Sequence, residues 1–426
     1  MALLRTRCRE RAVTRARWRM IWPVVLAGPV MAGGQWPATN TAQDANDCYV
    51  REVKLPGSHA YAADFVEVMA TDPSLKASDR ARNRNVVWGL NADLSSEVPV
   101  DERALYISKT TDGGETWTEV ARLGSEYFDA GIDEGLRNGL SVAPGGGEFV
   151  VTTQKGAFQV IPDGADAVVK YIAGPRVPHE RPWVSITKKE GDPVRAAAAK
   201  MTVDGKRLIV AYGYFDMEPK IFSYHRGRDG SWVEDGRLPQ IPTDLQIFSM
   251  EWDKPERVRR ESLPGALYVG TGDQIYRLDL QTMKWIEVKG VEPDSAIHGI
   301  NTVGGLHIAA CWGIYEPVRA DLVWKVTDDV FIYHRDQDQT GSNIRAYGIE
   351  VDPAKPARQV VTALTGVYVT ADGGQNWRRM IGLPEGEYRT AHFNADGTVI
   401  ISGLPGTFLA NPFSSACGPR LRTRDE

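Results

Sequence analysis

The sequence predicts an all-β protein, a single seven-bladed β-propeller, on three observations: a repeated turn, seven ordered pairs of strand-like runs, and a composition rich in turn formers. With 42 Gly and 25 Pro in 426 residues, 42% hydrophobic and 25% charged side chains, the chain reads as globular and not as disordered. The turn is clearest in KTTDGGETW (109–117) and VTADGGQNW (369–377), each behind a short apolar run, ALYI or GVYV. Its glycines permit positive φ, its aspartate can accept bonds from nearby amides, and its tryptophan can lay an apolar face over the hairpin.

Residues 1–32 read as a secretory signal. Arg5, Arg7, Arg9, Arg11, Arg15, Arg17 and Arg19 precede an apolar stretch, 20–33, that ends in small residues, with cleavage expected near Ala32. At 14 residues with Pro23 and Pro29 inside, that stretch is shorter than the roughly 20 needed to span a bilayer, so no membrane span is expected after processing. Residues 33–47 follow as a linker, 48–418 as the propeller and 419–426 as a polar tail. Loss of the signal removes seven basic side chains and one acidic one and takes the formal charge from −5 to −11. An acidic protein lacks the broad basic face that nucleic acid requires, so a periplasmic or secreted protein without a nucleic-acid partner is expected. Cys8 leaves with the signal, Cys311 lies inside LHIAACWGI, and Cys48 and Cys417 sit near the two ends of the mature chain. A Cys48–Cys417 disulfide clasp is the natural pairing; three separate small hydrophobic residues are the other reading.

Between these ends the predicted hairpins are NVVWGLN/ALYISKT, EFVVTTQ/GAFQVIP, RLIVAYGYF/KIFSYHR, ALYVGTG/QIYRLDL, LHIAACW/DVFIYHR, QVVTALT/GVYVTAD and TVIISGL/GTFLANP. Their second strands centre on Tyr106, Phe158, Phe222, Tyr276, Phe331, Tyr368 and Phe408, with intervals of 52, 64, 54, 55, 37 and 40 residues, a spacing suited to four-stranded blades. A further strand precedes most pairs and would be innermost: DFVEVMATDP, GLSVAPGGG, WVSITKK, FSMEWDKP, HGINTVGG, YGIEVDP and TAHFNADG. Weaker copies of the tryptophan turn end at Trp232 and Trp285. The last pair lacks a following strand, so residues near 48–54 are expected to complete the last blade.

The two good turns resemble the Asp-box (BNR) repeat, Ser-x-Asp-x-Gly-x-Thr-Trp. Thr110 and Thr370 stand at the Ser position; Asp112 and Asp372, Gly114 and Gly374, and Trp117 and Trp377 match; Thr116 matches and Asn376 departs. The superfamily includes sialidases, xyloglucanases, sortilin-type receptor ectodomains and photosystem II assembly factors. The resemblance therefore implies a propeller over nearly the whole mature chain, with structural box residues, and names no reaction.

Propellers bind ligands where the innermost strands begin. Six residues before the closing turns at Ala143, Val351 and Ala395 stand Arg137, Arg345 and Arg389, and the same count from Thr187 gives Arg181. Other blades give Gln246 and Ile297, the latter beside His298. Arginines sharing one register would make an anion site, because the guanidinium fork holds a carboxylate or sulfate in a bidentate grip; alternatively each ties down its own blade. Three arginines around a carboxylate resemble the sialidase arrangement, which implies a glycoside hydrolase, although the Phe/Tyr-Arg-Ile-Pro segment of sialidases is absent. No catalytic residue is assigned. Tyr347 and Tyr388 flank arginines, and strand alternation turns them to the other face as packing residues. Asp129, Asp133, Glu134 and Glu180 are loop acids before inner strands, and Trp88, Trp183 and Trp312 are candidate sugar platforms. His-Glu-x-x-His, Cys-x-x-Cys, Gly-x-Ser-x-Gly and phosphate-loop motifs are missing, and the seven His residues are dispersed, so no metal or cofactor is expected, with a metal site assembled across blades as the other reading. Two functions follow: a monomeric exported propeller binding an acidic glycan or another anionic small ligand, with a sialidase-like hydrolase as its catalytic form; or a non-catalytic propeller that binds a protein as an assembly, stability or receptor factor.

Overall fold

The computed structural model describes residues 49–56, 66–72, 84–92, 99, 101–128, 139–164, 166–177, 190–213, 218–253, 266–292, 295–311, 313–319, 322–326 and 345–414. They form seven antiparallel four-stranded sheets, the blades of a propeller. The first strands of the blades are Val66–Ala70, Gly139–Val142, Ala196–Met201, Ile247–Trp252, Ile297–Asn301, Ala346–Val351 and Tyr388–Phe393. Each contacts the first strand of the next blade, and Tyr388–Phe393 returns to Val66–Ala70, so these seven close a ring and are innermost. The apolar cores lie between blades. One cluster joins Trp88, Leu105 and Leu123 of the first blade to Phe149 and Phe158 of the second, and another joins Val360 and Val369 of the sixth to Phe393 and Phe408 of the seventh. No helix among the described residues is long and apolar enough to cross a membrane.

Closure of the ring follows the expectation. Val50–Val53 pairs antiparallel with Gly406–Ala410, from Val50 opposite Ala410 to Val53 opposite Thr407, and supplies the outer strand of the seventh blade. Cys48 and Cys417, expected to bridge this seam, lie outside the described residues.

Two strands differ from the sequence reading. The inner strand of the third blade is Ala196–Met201, AAAAKM, and not WVSITKK, which lies outside the described residues. Four consecutive alanines carry little strand propensity, and this strand forms because its neighbours bury it. In the fifth blade the third strand is Gly313–Arg319, which pairs Tyr315 with Ile308; DVFIYHR and its centre Phe331 lie outside the described residues. Pro317 inside GIYEPVR hid that strand, since proline cannot donate to a ladder and argues against a strand in sequence.

Both tryptophan turns close in the same way. The Thr110 hydroxyl donates to Asp112 Oδ1 (2.8 Å) and accepts from Gly114 N (2.8 Å), while Thr116 donates from N to Oδ1 (3.0 Å) and from Oγ1 to Oδ2 (2.6 Å). In the second turn Thr370, Asp372 and Gly374 repeat these bonds, and Asn376 Nδ2 donates to Asp372 Oδ2 (2.7 Å) where the first turn uses a threonine hydroxyl. The Asn376 departure thus keeps the donor. Against desolvation, which would raise them, these bonds hold both aspartates below the usual carboxylate range.

At the far ends of the inner strands, polar side chains link the blades, the third to the fourth, the fifth to the sixth and, across the seventh, the sixth to the first. Lys200 Nζ meets Glu251 Oε2 at 2.8 Å, Asn301 Nδ2 donates to Glu350 Oε2 at 3.0 Å, and Arg84 Nη1 meets Asp352 Oδ1 at 2.9 Å. Buried His392 donates from Nε2 to the Arg84 carbonyl (2.8 Å), with Glu350 3.8 Å from Nδ1. Burial, aided by the Arg84 charge, pushes its pKa down to about 4. Because the folded value lies below the ordinary 6.5, the unfolded chain takes up this proton first. The stabilisation is complete above about pH 6.5 and is lost as pH falls toward 4, a change of roughly 3 kcal/mol. Denaturant melts at pH 7 and pH 4.5 should show this loss, and His392→Gln should flatten that part of the profile; an unchanged slope in the variant would show that His392 does not set the pH dependence.

Candidate ligand-binding entrance

The start of the inner strands is shaped by a repeated β-bulge. In the sixth blade Ala346 pairs with Ala363 and Gly348 with Thr362, which leaves Tyr347 as the extra residue. The same shift leaves Glu67, Ala197, Phe248, His298 and Arg389 extra in the first, third, fourth, fifth and seventh blades. In the second blade the residues before Gly139 lie outside the described set. A bulge breaks strict alternation and re-aims the inserted side chain, so six blades present one residue each at one level of the ring.

Glycines after the bulges of the fifth and sixth blades bring neighbouring strands together. A Cβ on Gly299 would stand 2.9 Å from Gly348 Cα, and one on Gly348 would stand 3.2 Å from the Arg389 carbonyl oxygen. At that separation the bulge side chains touch in sequence around the ring. Phe248 and His298 meet at 4.9 Å between centroids in an edge arrangement, His298 and Tyr347 at 5.5 Å, and the Arg389 guanidinium lies over the Tyr347 ring at 5.2 Å. All four are half-buried. Behind them Cys311 Sγ lies 3.5 Å from His298 Nε2, and Glu387 holds Arg389 Nε in an ion pair. The result is an arc of three rings ending on a charged fork, suited to a ligand with an apolar or planar face beside an acid.

The predicted site residues therefore fall on two levels. His298 and Arg389 are bulge residues, whereas Gln246 and Arg345 stand immediately before the first paired residues Ile247 and Ala346, two positions earlier. Count-back from the turn misaligned the seventh blade, because Phe393, and not Ala395, is the equivalent of Val351. The true counterpart of Arg345 there is Glu387, and in the third blade it is Arg195, a buried arginine that the sequence reading missed with its strand. Arg137 and Arg181 lie outside the described residues, as do Asp129, Asp133, Glu134, Glu180, Trp183 and Trp312. Trp88 is buried beneath Lys109 in the first blade and offers no platform. Tyr388 is buried, with its hydroxyl donating to the Pro384 carbonyl, and packs as expected. Tyr347 does not: the bulge brings it to the side of His298 and Arg389. Gln246 is 1% exposed, and its Oε1 accepts no hydrogen bond from the described residues. No group of three or more His, Cys, Asp or Glu among the described residues could hold a metal ion.

No protein-family model and no curated protein matches the sequence. Solved structures do match in shape. YCF48 bound to D1 peptide is similar over 87% of this chain and 96% of its own, with 12% identity and a TM-score of 0.50. The extracellular domain of the hybrid two-component system BT3049 from B. thetaiotaomicron matches over 85% of this chain and 42% of its own, with 13% identity and a TM-score of 0.50. At these identities the likeness is one of fold, and both support a β-propeller.

Proposed function

We propose that the chain is an exported binding propeller of the Asp-box kind that takes an acidic segment of a protein partner at this entrance. The observation that carries the reading is the continuous arc Phe248–His298–Tyr347 closing on Arg389. YCF48, similar in fold, is bound to a D1 peptide, which favours a peptide ligand. An acidic glycan is the second reading, favoured by half-exposed rings that could stack on sugar faces. Arg345 belongs to the same entrance, and Arg137 and Arg181 would add to its charge. Export through the signal at 1–32 and a Cys48–Cys417 clasp complete the proposal.

Calorimetry against acidic peptides, acidic oligosaccharides and their neutral analogues tests it. Acidic ligands should bind in preference to neutral ones. Arg389→Lys should weaken them about tenfold or more although the charge is kept, because lysine lacks the planar fork. Tyr347→Ala should weaken them comparably. Ligands that bind both variants as well as the parent protein would remove the entrance as the site, and product release from an oligosaccharide would make the protein an enzyme.

A further inference from the structure

We propose that the outer strand of the second blade, Asp166–Ile172, is a dimerisation edge that pairs antiparallel with the same strand of a second copy of this chain, Val168 opposite Val168. The entrance plays no part in the inference. The outer strand of a blade presents a row of backbone groups to solvent, and proteins blunt such edges with bulges or by keeping them short. Six of the seven outer strands are blunted in this way. The ladders that hold Thr118–Gly124 and Trp232–Arg237, and the one that holds Leu322–Val326, each carry a register shift, while Val50–Val53, Lys284–Glu287 and Arg378–Arg379 have four residues or fewer. Asp166–Ile172 has neither device. It runs for seven residues and pairs with Gly156–Asp163 from Asp163 opposite Asp166 to Ala157 opposite Ile172 without a shift.

This edge is held in place, and its backbone is available. Ala167 and Val169 pack on the core between the first and second blades. Paired residues of an antiparallel ladder alternate between bonding each other and turning their N–H and C=O groups outward. Because Asp163 and Asp166 close a two-residue turn as a bonded pair, Ala167 and Val169 turn theirs outward, and no described residue bonds them.

The side chains select the occupant. Asp166, Val168 and Lys170 form the exposed face of the strand, with Val168 at 42%. At the turn, Asp163 and Asp166 set two exposed carboxylates opposite each other, and neither is in an ion pair with the described residues. Like charges so placed oppose pairing unless a cation joins them. Toward the other end stands Lys170, with Asp229 of the third blade as the acid near it. Antiparallel pairing about Val168 brings Lys170 of each copy opposite Asp166 of the other, in one row with Asp163, and lays the two Val168 side chains together with Ile161 behind each. The same register sets Ala167 opposite Val169 in both halves, so the outward backbone groups meet their partners. A slip that centres the pair on Val169 would set Lys170 against Val168 and Asp166 against Ile172, and both ion pairs would be lost. The edge is therefore complementary to itself in one register, and a twofold contact of this kind closes on two copies.

Sedimentation velocity on the full chain over about 1–500 µM protein tests the proposal, since a single strand pair is small for a specific interface and should dissociate on dilution. A reversible monomer–dimer equilibrium without larger species is expected. Asp166→Lys should weaken the dimer at least tenfold, because it sets like charges opposite each other at both ends, and Asp166→Lys combined with Lys170→Asp should restore it. All three proteins should melt alike, since both positions are exposed. Val168→Cys keeps the test valid if a charge variant folds poorly. Directly opposed residues of a non-bonded pair stand about 4.5 Å apart at Cα, within disulfide reach, so mild oxidation should link two copies of this variant and not of the parent chain. Lys170→Cys should not link, because in this register the two copies of that position lie about 13 Å apart. A chain that stays monomeric at every concentration overturns the proposal. So does a dimer that Asp166→Lys leaves unchanged, one that the charge swap fails to restore, or one in which Lys170→Cys links as readily as Val168→Cys.

Discussion

A chain that begins at residue 57 is expected to lose cooperative unfolding, because it lacks the strand Val50–Val53 that closes the ring. That strand is one of four in the seventh blade, and its removal leaves Gly406–Ala410, all five residues of which are buried, as an open edge. Val53 and Leu55 pack with Val66, Val87 and Trp117 of the first blade and Ile400 and Leu409 of the seventh. Burial of the two side chains is worth about 3–6 kcal/mol, from roughly 1.5–3 kcal/mol each. Against a total stability of about 5–15 kcal/mol, the loss of these and of the ladder bonds is a large share. An unpaired edge of that length also invites association. Urea melts and light scattering should show a broadened, weakened transition and aggregation, and Val53→Asp in the full chain should reproduce part of it. A truncated protein that melts as sharply and as late as the full chain would show that the ring closes without the N-terminal strand.

Much of this architecture was legible because propeller blades repeat the same local chemistry. The alternating or continuous apolar runs around Tyr106, Phe158, Tyr276, Tyr368 and Phe408 announce strands, and Asp112-Gly113-Gly114 and Asp372-Gly373-Gly374 announce the turns between them. The failures have local causes. AAAAKM lacks the β-branched residues that mark a strand, and GIYEPVR carries a proline, so both strands are specified by their neighbours and not by their own propensities.

The candidate site was harder to read, since it depends on one inserted residue per blade. A bulge leaves no fixed mark in sequence, and here its residue is Glu, Ala, Phe, His, Tyr or Arg. Counting from the turns therefore placed Arg345 and Arg389 in one register although they stand two residues apart, and the alternation rule turned Tyr347 away from the side chains it touches. The signal available was the glycine after two of the bulges, His298-Gly299 and Tyr347-Gly348, where close approach of neighbouring backbones leaves no room for a Cβ.

Trp117→Ala is expected to cost about 3–5 kcal/mol, the usual range for truncating a buried aromatic. The side chain is 8% exposed and fills the space between its own blade and the seventh, in contact range of Gly89 and in one cluster with Val66, Val87, Ile400 and Leu409. Trp377 repeats the arrangement, joining Ile349, Val361 and Tyr368 of the sixth blade to Ala309 and Ile314 of the fifth. In each turn, then, the aspartate shapes the loop and the tryptophan fastens the blade to its predecessor in the ring. The two roles separate by magnitude. Asp112→Ala removes exposed hydrogen bonds to Thr110 and Thr116 and should cost about 1–2 kcal/mol, well short of the tryptophan. Urea denaturation of the single variants decides this, and a loss below about 1 kcal/mol for Trp117→Ala would reduce the ring to an ornament of the turn. Because the two tryptophan clusters share no residue, the losses in Trp117→Ala and Trp377→Ala should add to about 6–10 kcal/mol. That sum is comparable with the whole stability of an ordinary domain, so the double variant should be unfolded at room temperature although every strand sequence is intact.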